Sequence, residues 1–479
     1  MSRGRRVLND IRFYSTAIVL TQIVTVVASI LTRRLLGPVQ MGVWVYLQVL
    51  LNYTEFSALG TTTAASLEIP LLNGKQDREG AQKVANAAFS FALITSLGVA
   101  AATLAYAFAR RTALGQELFY GFLMAAVFVV LQRFNSLAIT LVRADKQFVL
   151  AGKQMLYSSI VNIALIAFFS YRFKLYGFLA AMALSLIFNI AYLTWRAGIR
   201  VRFVADWPQM KALILFGFPL ITIGLASTAF ETMDPLFIKH FLGFETLGLY
   251  SVALMTINYL NAVPNSVGVV TISHLQEKVG ESGDKAVLAG YLKKVDAGYG
   301  FLMALLIGGA WFMVPWLVRL ALPDFVKGIP ALQCLALSTF FTALIQGYTQ
   351  LVYAIRKHHA LLVITAVSCV VAAGTNLWAI MAGTGVIGIA AATVFSTFFY
   401  FTLLFVYTSA QVEPLRRSVK RYALLIGGFA AMTMLLLLVG RVRLFDSLRV
   451  DAWAQMAVYA LVLSPFLWRM RHEFGRKIA

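Results

Sequence analysis

The sequence predicts an all-α polytopic membrane protein with about fourteen transmembrane helices, and three observations lead there. Of 479 residues, 60% are hydrophobic and 13% charged, where a soluble domain carries about 25% charged residues. The apolar residues gather in runs of roughly 20, the length a helix needs to cross ~30 Å of hydrocarbon at about 1.5 Å per residue. The sequence does not show the short alternating segments of a β-barrel.

In chain order the spans fall near 13–32, 42–64, 84–108, 118–141, 148–170, 175–195 and 212–238, each bounded by charged residues or by Gly and Pro. The series continues with 246–271, 297–318, 329–353, 360–381, 386–408, 422–440 and 452–468. Arg3, Arg5 and Arg6 before the first run resemble a secretory leader, but that run is near full membrane length without a convincing small-residue cleavage site, so it reads as a helix that stays. No linker exceeds about 25 residues, whereas a soluble domain with its own core needs at least about 50. Any chemistry therefore lies within the membrane or at its rim.

The formal charge of +21 comes from 41 Lys and Arg against 20 Asp and Glu. With the N-terminus inside, 27 of the basic residues fall in cytoplasmic segments, 12 on the opposite side, and Lys153 and Arg133 inside spans. Lys and Arg resist translocation, so both termini are expected in the cytoplasm. The basic excess then reports topology, and a nucleic-acid partner is not expected. Cys334 and Cys369 sit inside spans and read as packing residues.

The spans repeat. Leu36-Gly37-Pro38-Val39-Gln40-Met41-Gly42-Val43-Trp44 returns as Leu242-Gly243-Phe244-Glu245-Thr246-Leu247-Gly248-Leu249-Tyr250, an offset of 206. Tyr176-Gly177-Phe178 opens span six as Ile387-Gly388-Ile389 opens span twelve, and Arg143 parallels Arg356. These matches predict an N-terminal lobe at 1–200, a C-terminal lobe at 212–410 and an appended helix pair with its tail at 421–479. Six is even, so both lobes enter the membrane in one orientation and a pseudo-two-fold along the membrane normal is expected, as in transporters that expose a cavity alternately to each side.

Polar residues within spans mark the expected cavity, because ionisable groups in hydrocarbon are costly. In span two, Trp44, Gln48, Asn52 and Glu55 follow one another at spacings of 4, 4 and 3, one helical face. The offset carries Asn52 onto Asn258 and Glu55 onto Asn261 in span eight. The bland reading of these groups is interhelical hydrogen bonding. Span seven holds Ser227, Glu231 and Asp234 on one face, with Pro235 next; two acids one turn apart favour sharing a proton. Pro264 in span eight frees the carbonyl of Leu260, or only kinks the helix. Arg133 lies deep in span four and needs an anion, a wet cavity or a buried acid; its counterpart by repeat is Gln346. Arg33 and Arg34 end span one on the outer side, where they either join Arg133 in a route for phosphate oxygens or touch lipid headgroups.

Nucleotide-binding, zinc and sugar-transfer signatures are not found, and His358-His359 reads as a solvated pair. No cofactor is expected beyond a coupling ion, H+ or Na+.

The run Arg33-Arg34-Leu35-Leu36-Gly37-Pro38 with Met41-Gly42, Leu59-Gly60 and Glu68-Ile69-Pro70, then Phe216-Gly217-Phe218-Pro219, Asp234 and the turn to Gly248-Leu249-Tyr250, resembles bacterial polysaccharide flippases of the multidrug/oligosaccharidyl-lipid/polysaccharide superfamily. The resemblance spans essentially the whole chain. It implies a transporter, not an enzyme: a flippase that moves an undecaprenyl-pyrophosphate-linked oligosaccharide, an O-antigen type of precursor, across the bacterial inner membrane unchanged. Its partners would be that lipid-linked oligosaccharide, membrane lipids and other polysaccharide-assembly membrane proteins. In this reading Arg133, Arg33 and Arg34 attract pyrophosphate, Gln48, Asn52, Asn258, Asn261 and Gln346 face sugar hydroxyls, and Glu55, Glu231 and Asp234 couple an ion. Relatives often read Asp-Arg where this chain has Asp234-Pro235, so the resemblance does not carry a phosphate-binding role to that place. The rival readings are a multidrug or peptidoglycan-precursor exporter, a membrane-embedded polysaccharide polymerase or ligase, and an assembly scaffold without transport.

Overall fold

A computed structural model describes the backbone of residues 3–282, 285–355, 357–442, 445 and 447–475, with the side chains of most of these. Thirteen α-helices and no strands are found among the described residues. Arg356, one half of a predicted repeat match, lies outside them. By contacts the chain divides into Met1–Thr228 and Ala229–Ala479.

The first unit begins with α1 (Arg3–Thr54), α2 (Thr61–Gly74), α3 (Arg78–Ala109), α4 (Gln116–Ala144) and α5 (Phe148–Ala197), and takes in most of α6 (Trp207–Phe237). At about 1.5 Å per residue, α1 and α5 would each exceed ~70 Å if straight, more than twice the hydrocarbon core. Each is broken in the middle. In α1 the break is Gly37 (φ 73, ψ 176), a conformation essentially restricted to glycine, and Pro38 starts the second arm, where its missing N–H costs nothing. In α5 it is Lys174 (φ 50, ψ −127). There Gly177 lets the arms close, since a Cβ would fall 2.0 Å from the carbonyl oxygen of Phe169.

Side chains lock the two breaks together. Gln40 donates to Glu117 Oε1 at 3.1 Å and accepts from the Leu175 amide at 3.2 Å, while Lys174 Nζ donates to the Leu35 carbonyl at 3.2 Å. Trp44 is buried edge-on against Phe178 and Phe128. Elsewhere small residues set the spacing: Ala64, Ala65, Ala81, Ala85 and Ala88 line a core that Met210 and Leu213 of α6 complete. Gly60 and Gly217 meet so closely that a Cβ on either would sit about 2 Å from the other's carbonyl oxygen. These contacts hold the first half of α6 in this unit.

One element differs from the sequence reading. Span two was expected as one helix through 64, but α1 ends at Thr54 and a 3-10 turn covers Glu55–Ala58. Leu59 (φ 48) and Gly60 (φ 82) then take left-handed conformations, and α2 begins. Two such residues in succession redirect the chain, so Glu55 does not continue the face of Gln48 and Asn52.

The second unit holds the end of α6, α7 (Gly243–Ser282), α8 (Lys285–Ala321), α9 (Ile329–Ala354), α10 (His358–Met381), α11 (Gly385–Val412), α12 (Leu415–Arg441) and α13 (Leu448–Gly475). A π-helical turn, Ile238–Leu242, joins α6 to α7, and Gly243 follows it with φ 88 and ψ 179. The repeated Leu-Gly motif thus adopts nearly one backbone conformation at Gly37 and Gly243. At the second offset, Lys174 and Gly385 both carry positive φ (50 and 63). Helix α9 is the deepest, with Leu335, Ala336, Ala343, Leu344 and Leu351 at most 1% exposed.

The last two helices pack on α8. Tyr459 of α13 donates to the Ala304 carbonyl at 2.8 Å over Gly308, where a Cβ would strike its ring. Arg421 of α12 reaches inward to Asp296 at 3.1 Å and Glu413 at 3.1 Å, donates to Ser409, and lies over the Phe405 ring.

Ten helical runs among the described residues are apolar and long enough to cross a membrane. Three of them, at 43, 50 and 45 residues, contain the breaks at Gly37, Lys174 and the π-turn, which divide each into two arms. Helix α13 lies where the last predicted span is expected. The chain is a multi-pass membrane protein.

Candidate functional site

The last turn of a helix leaves carbonyls without intrahelical donors, and at the end of α1 one buried side chain reaches those of Thr54 and Glu55. Arg133, from the middle of α4 and only 3% exposed, donates through Nη2 to the Thr54 carbonyl at 2.7 Å and Ser57 Oγ at 3.0 Å. Through Nη1 it donates to the Glu55 carbonyl at 3.0 Å and carboxylate at 3.3 Å. Arg133 thus pairs with an acid, although Glu55 is partly exposed and not the buried acid expected. Its Nε is buried without a partner.

This clamp forms one wall of a cavity of about 480 Å³ inside the first unit. Glu55, whose side chain remains 42% exposed, opens onto it. Along α4 the lining runs Arg133, Ser136, Thr140 and Arg143, and α2 adds Thr62, Thr63 and Ser66 from across the turn. Ten residues of helix separate the two arginines by about 15 Å, so a cation stands at each end with hydroxyls between. The cavity can accept an anion at Arg143 and hydrogen-bond a polyhydroxylated group along its length. Sequence reading found Arg133 and Glu55 but missed the rest. The signal was present, because Arg133, Ser136, Thr140 and Arg143 are spaced 3, 4 and 3 on one face.

The expected phosphate route of three arginines does not form. Arg33 is buried and turned onto its own helix, donating to the carbonyl and hydroxyl of Ser29, while Arg34 is exposed. Both lie before the Gly37 break, and the second arm of α1, about 25 Å long by its 17 residues, separates them from Arg133. Gln48 and Asn52 are exposed but do not line the cavity, and Trp44 is buried in packing instead.

In the second unit Asn258 is exposed, while Asn261 Oδ1 and Gln346 Oε1 are buried acceptors without partners. The expected acid pair of span seven is split: Glu231 is exposed and Asp234 is buried. Asp234 instead accepts from Tyr250 Oη at 2.7 Å, Asn376 Nδ2 at 2.9 Å and Thr393 Oγ1, so α6, α7, α10 and α11 converge on one carboxylate. Asn376 Oδ1 beside it has no partner. Tyr250 belongs to the repeat motif, but nothing in the sequence joined it to Asn376 and Thr393.

A sequence profile described as polysaccharide biosynthesis protein matches residues 30–322, more than half of the chain. This chain belongs to that family. The match takes in all of the cavity lining, together with Asp234 and Tyr250. Among solved structures it is similar to an inward-facing multidrug resistance MATE family transporter of the MOP superfamily, at 16% identity and a TM-score of 0.70, covering 82% of this chain and 94% of that one. It is likewise similar to the lipid II flippase MurJ in an inward closed conformation, at 12% identity and a TM-score of 0.69 over 95% and 98% of the two chains. A MOP superfamily transporter from Pyrococcus furiosus, described as having a binding pocket of reversed polarity, aligns at 17% identity and 0.60 over 84% and 95%. At these identities the likeness establishes the fold. No match is found among curated proteins.

Proposed function

We propose that this protein is a flippase that translocates an undecaprenyl-pyrophosphate-linked oligosaccharide across the bacterial inner membrane, unchanged, by alternating access. The supporting observation is the cavity along α4, which joins two guanidinium groups to a row of hydroxyls within a membrane-embedded unit. Arg binds phosphate oxygens through paired donors, and threonine and serine match sugar hydroxyls. Arg143, which is exposed and lines the cavity, takes the phosphate role first given to Arg33 and Arg34. Membership in a polysaccharide biosynthesis family favours a glycan cargo over a drug. The coupling ion, H+ or Na+, belongs at Asp234, where a carboxylate, two hydroxyls and the free Asn376 oxygen form an oxygen-rich cluster. Glu55 is committed to Arg133.

The test is transport in proteoliposomes loaded with a polyprenyl-pyrophosphate oligosaccharide and probed by an external glycosidase. Wild type is expected to expose the sugar without altering it, and Arg143→Gln to slow exposure by roughly tenfold, the scale of one lost charged hydrogen bond. A covalently changed product would turn the assignment to a polymerase or ligase. Equal transport of a peptidoglycan precursor would move the cargo to the rival exporter.

A further inference from the structure

At the end of the second unit opposite the Arg421 network, α8 and α12 finish and α9 and α13 begin. A second cavity of about 550 Å³ opens there. The distribution of basic residues assigns this end to the outside, where Lys and Arg are disfavoured. Yet of the twelve basic residues expected on the outer side, Arg319, Lys327, Arg441 and Arg449 fall at or next to the ends of these four helices. Arg319 and Arg441 line the cavity itself, and both are exposed. Asp451 is the acid in the lining, buried, with one oxygen already accepting from the Phe445 amide.

The rest of the lining has two characters. Trp316, Pro315, Leu436 and Leu437 present an apolar flank, and Leu437 is 49% exposed. Gln333 and Gln455 each spend their amide N–H on a backbone carbonyl, of Trp311 at 3.3 Å and of Val442 at 2.8 Å. Their carboxamide oxygens are left as acceptors for hydroxyl groups. Two forked cations, hydroxyl acceptors and an apolar wall with interfacial tryptophan match one chemistry: a phosphodiester with a polyhydroxylated headgroup and acyl chains.

We propose that this cavity binds an anionic, hydroxyl-bearing phospholipid of the outer leaflet. Arg319 and Arg441 hold the phosphate, Gln333 and Gln455 accept from headgroup hydroxyls, and the acyl chains run along Trp316 and Leu437. The lipid is a resident ligand of the appended helix pair, not the transported cargo. The site lies wholly in the second unit and does not depend on the cavity along α4, so either can fail alone.

Native mass spectrometry of the full-length protein tests this with phosphatidylglycerol and phosphatidylcholine supplied equally. Phosphatidylglycerol adducts are expected to exceed phosphatidylcholine adducts by roughly tenfold. The Arg319→Gln/Arg441→Gln variant should lose that preference, whereas Arg416→Gln/Arg417→Gln at the opposite end should keep it. Equal retention of the two lipids, or an unchanged preference in the cavity variant, would overturn the proposal. A rise in melting temperature with phosphatidylglycerol that inorganic phosphate reproduces in full would also overturn it, by showing an anion site without lipid recognition. If the double variant does not melt like wild type in lipid-free detergent, Arg441→Gln alone is used, with the adduct ratio expected to fall about threefold.

Discussion

Arg133 directs both ends of its fork at one turn, because the 3-10 segment after α1 concentrates orphan carbonyls, a hydroxyl and a carboxylate within its reach. A point charge on a flexible stem cannot reproduce that pattern. Arg133→Lys is therefore expected to lower the thermal stability of the purified protein, by about 2 kcal/mol for the unmet buried acceptors; an unchanged unfolding transition would count against the clamp. Asp234 is different in kind. Its three donors compensate a buried carboxylate from three other helices, and Asp234→Asn keeps the shape while removing the charge. That variant is expected to fold, to move cargo down its own gradient, and to lose stimulation by an imposed ion gradient. Retained stimulation by both H+ and Na+ gradients in proteoliposomes would place coupling elsewhere. These partners were only partly legible in sequence. Helical spacing shows which residues share a face, but Tyr250, Asn376 and Thr393 come from three helices whose meeting is a tertiary fact.

Among the elements, α12 shows how far a helix can depart from the place its composition suggests. Arg416, Arg417, Lys420 and Arg421 read together as a cytoplasmic basic cluster, and the first three are exposed. Arg421 instead lies 11% exposed between Asp296 and Glu413, which are 6% and 4% exposed, with Tyr348 donating to Asp296 at 2.7 Å. Removing one partner of such a group leaves charge buried and uncompensated, at about 3–5 kcal/mol. Arg421→Ala is thus expected to destabilise the second unit strongly. The triple change Arg421→Gln, Asp296→Asn, Glu413→Gln should recover much of the loss. Proteolysis of the purified variants reads this out, and a stable Arg421→Ala protein would contradict it. The helix breaks were better announced. Leu-Gly recurs at an offset of 206, and its two glycines share an otherwise forbidden conformation, so the repeated letters and the repeated geometry have one cause.

For the whole molecule, the orientation expected from the placement of Lys and Arg can be checked apart from any transport assay. Cys334 and Cys369 are not joined in a disulfide, so a background lacking both can carry single new thiols. Lys327→Cys is expected to react with an impermeant maleimide in intact cells, and Lys420→Cys only after permeabilisation; the reverse pattern would invert the orientation. Sequence by itself determined membrane residence, the all-helical fold class, the repeated Leu-Gly break and the family resemblance. These rest on hydrophobic length and on motifs local to the chain, and neither needs packing to be read. Only the tertiary structure decided which polar residues act together. It turned Arg33 back onto Ser29 and tied Arg133 to the end of α1. It brought Arg143 to the cavity mouth and separated Glu231 from Asp234. The physical reason is that a buried polar group takes whichever partner the fold brings within about 3 Å, and that partner most often lies on another helix.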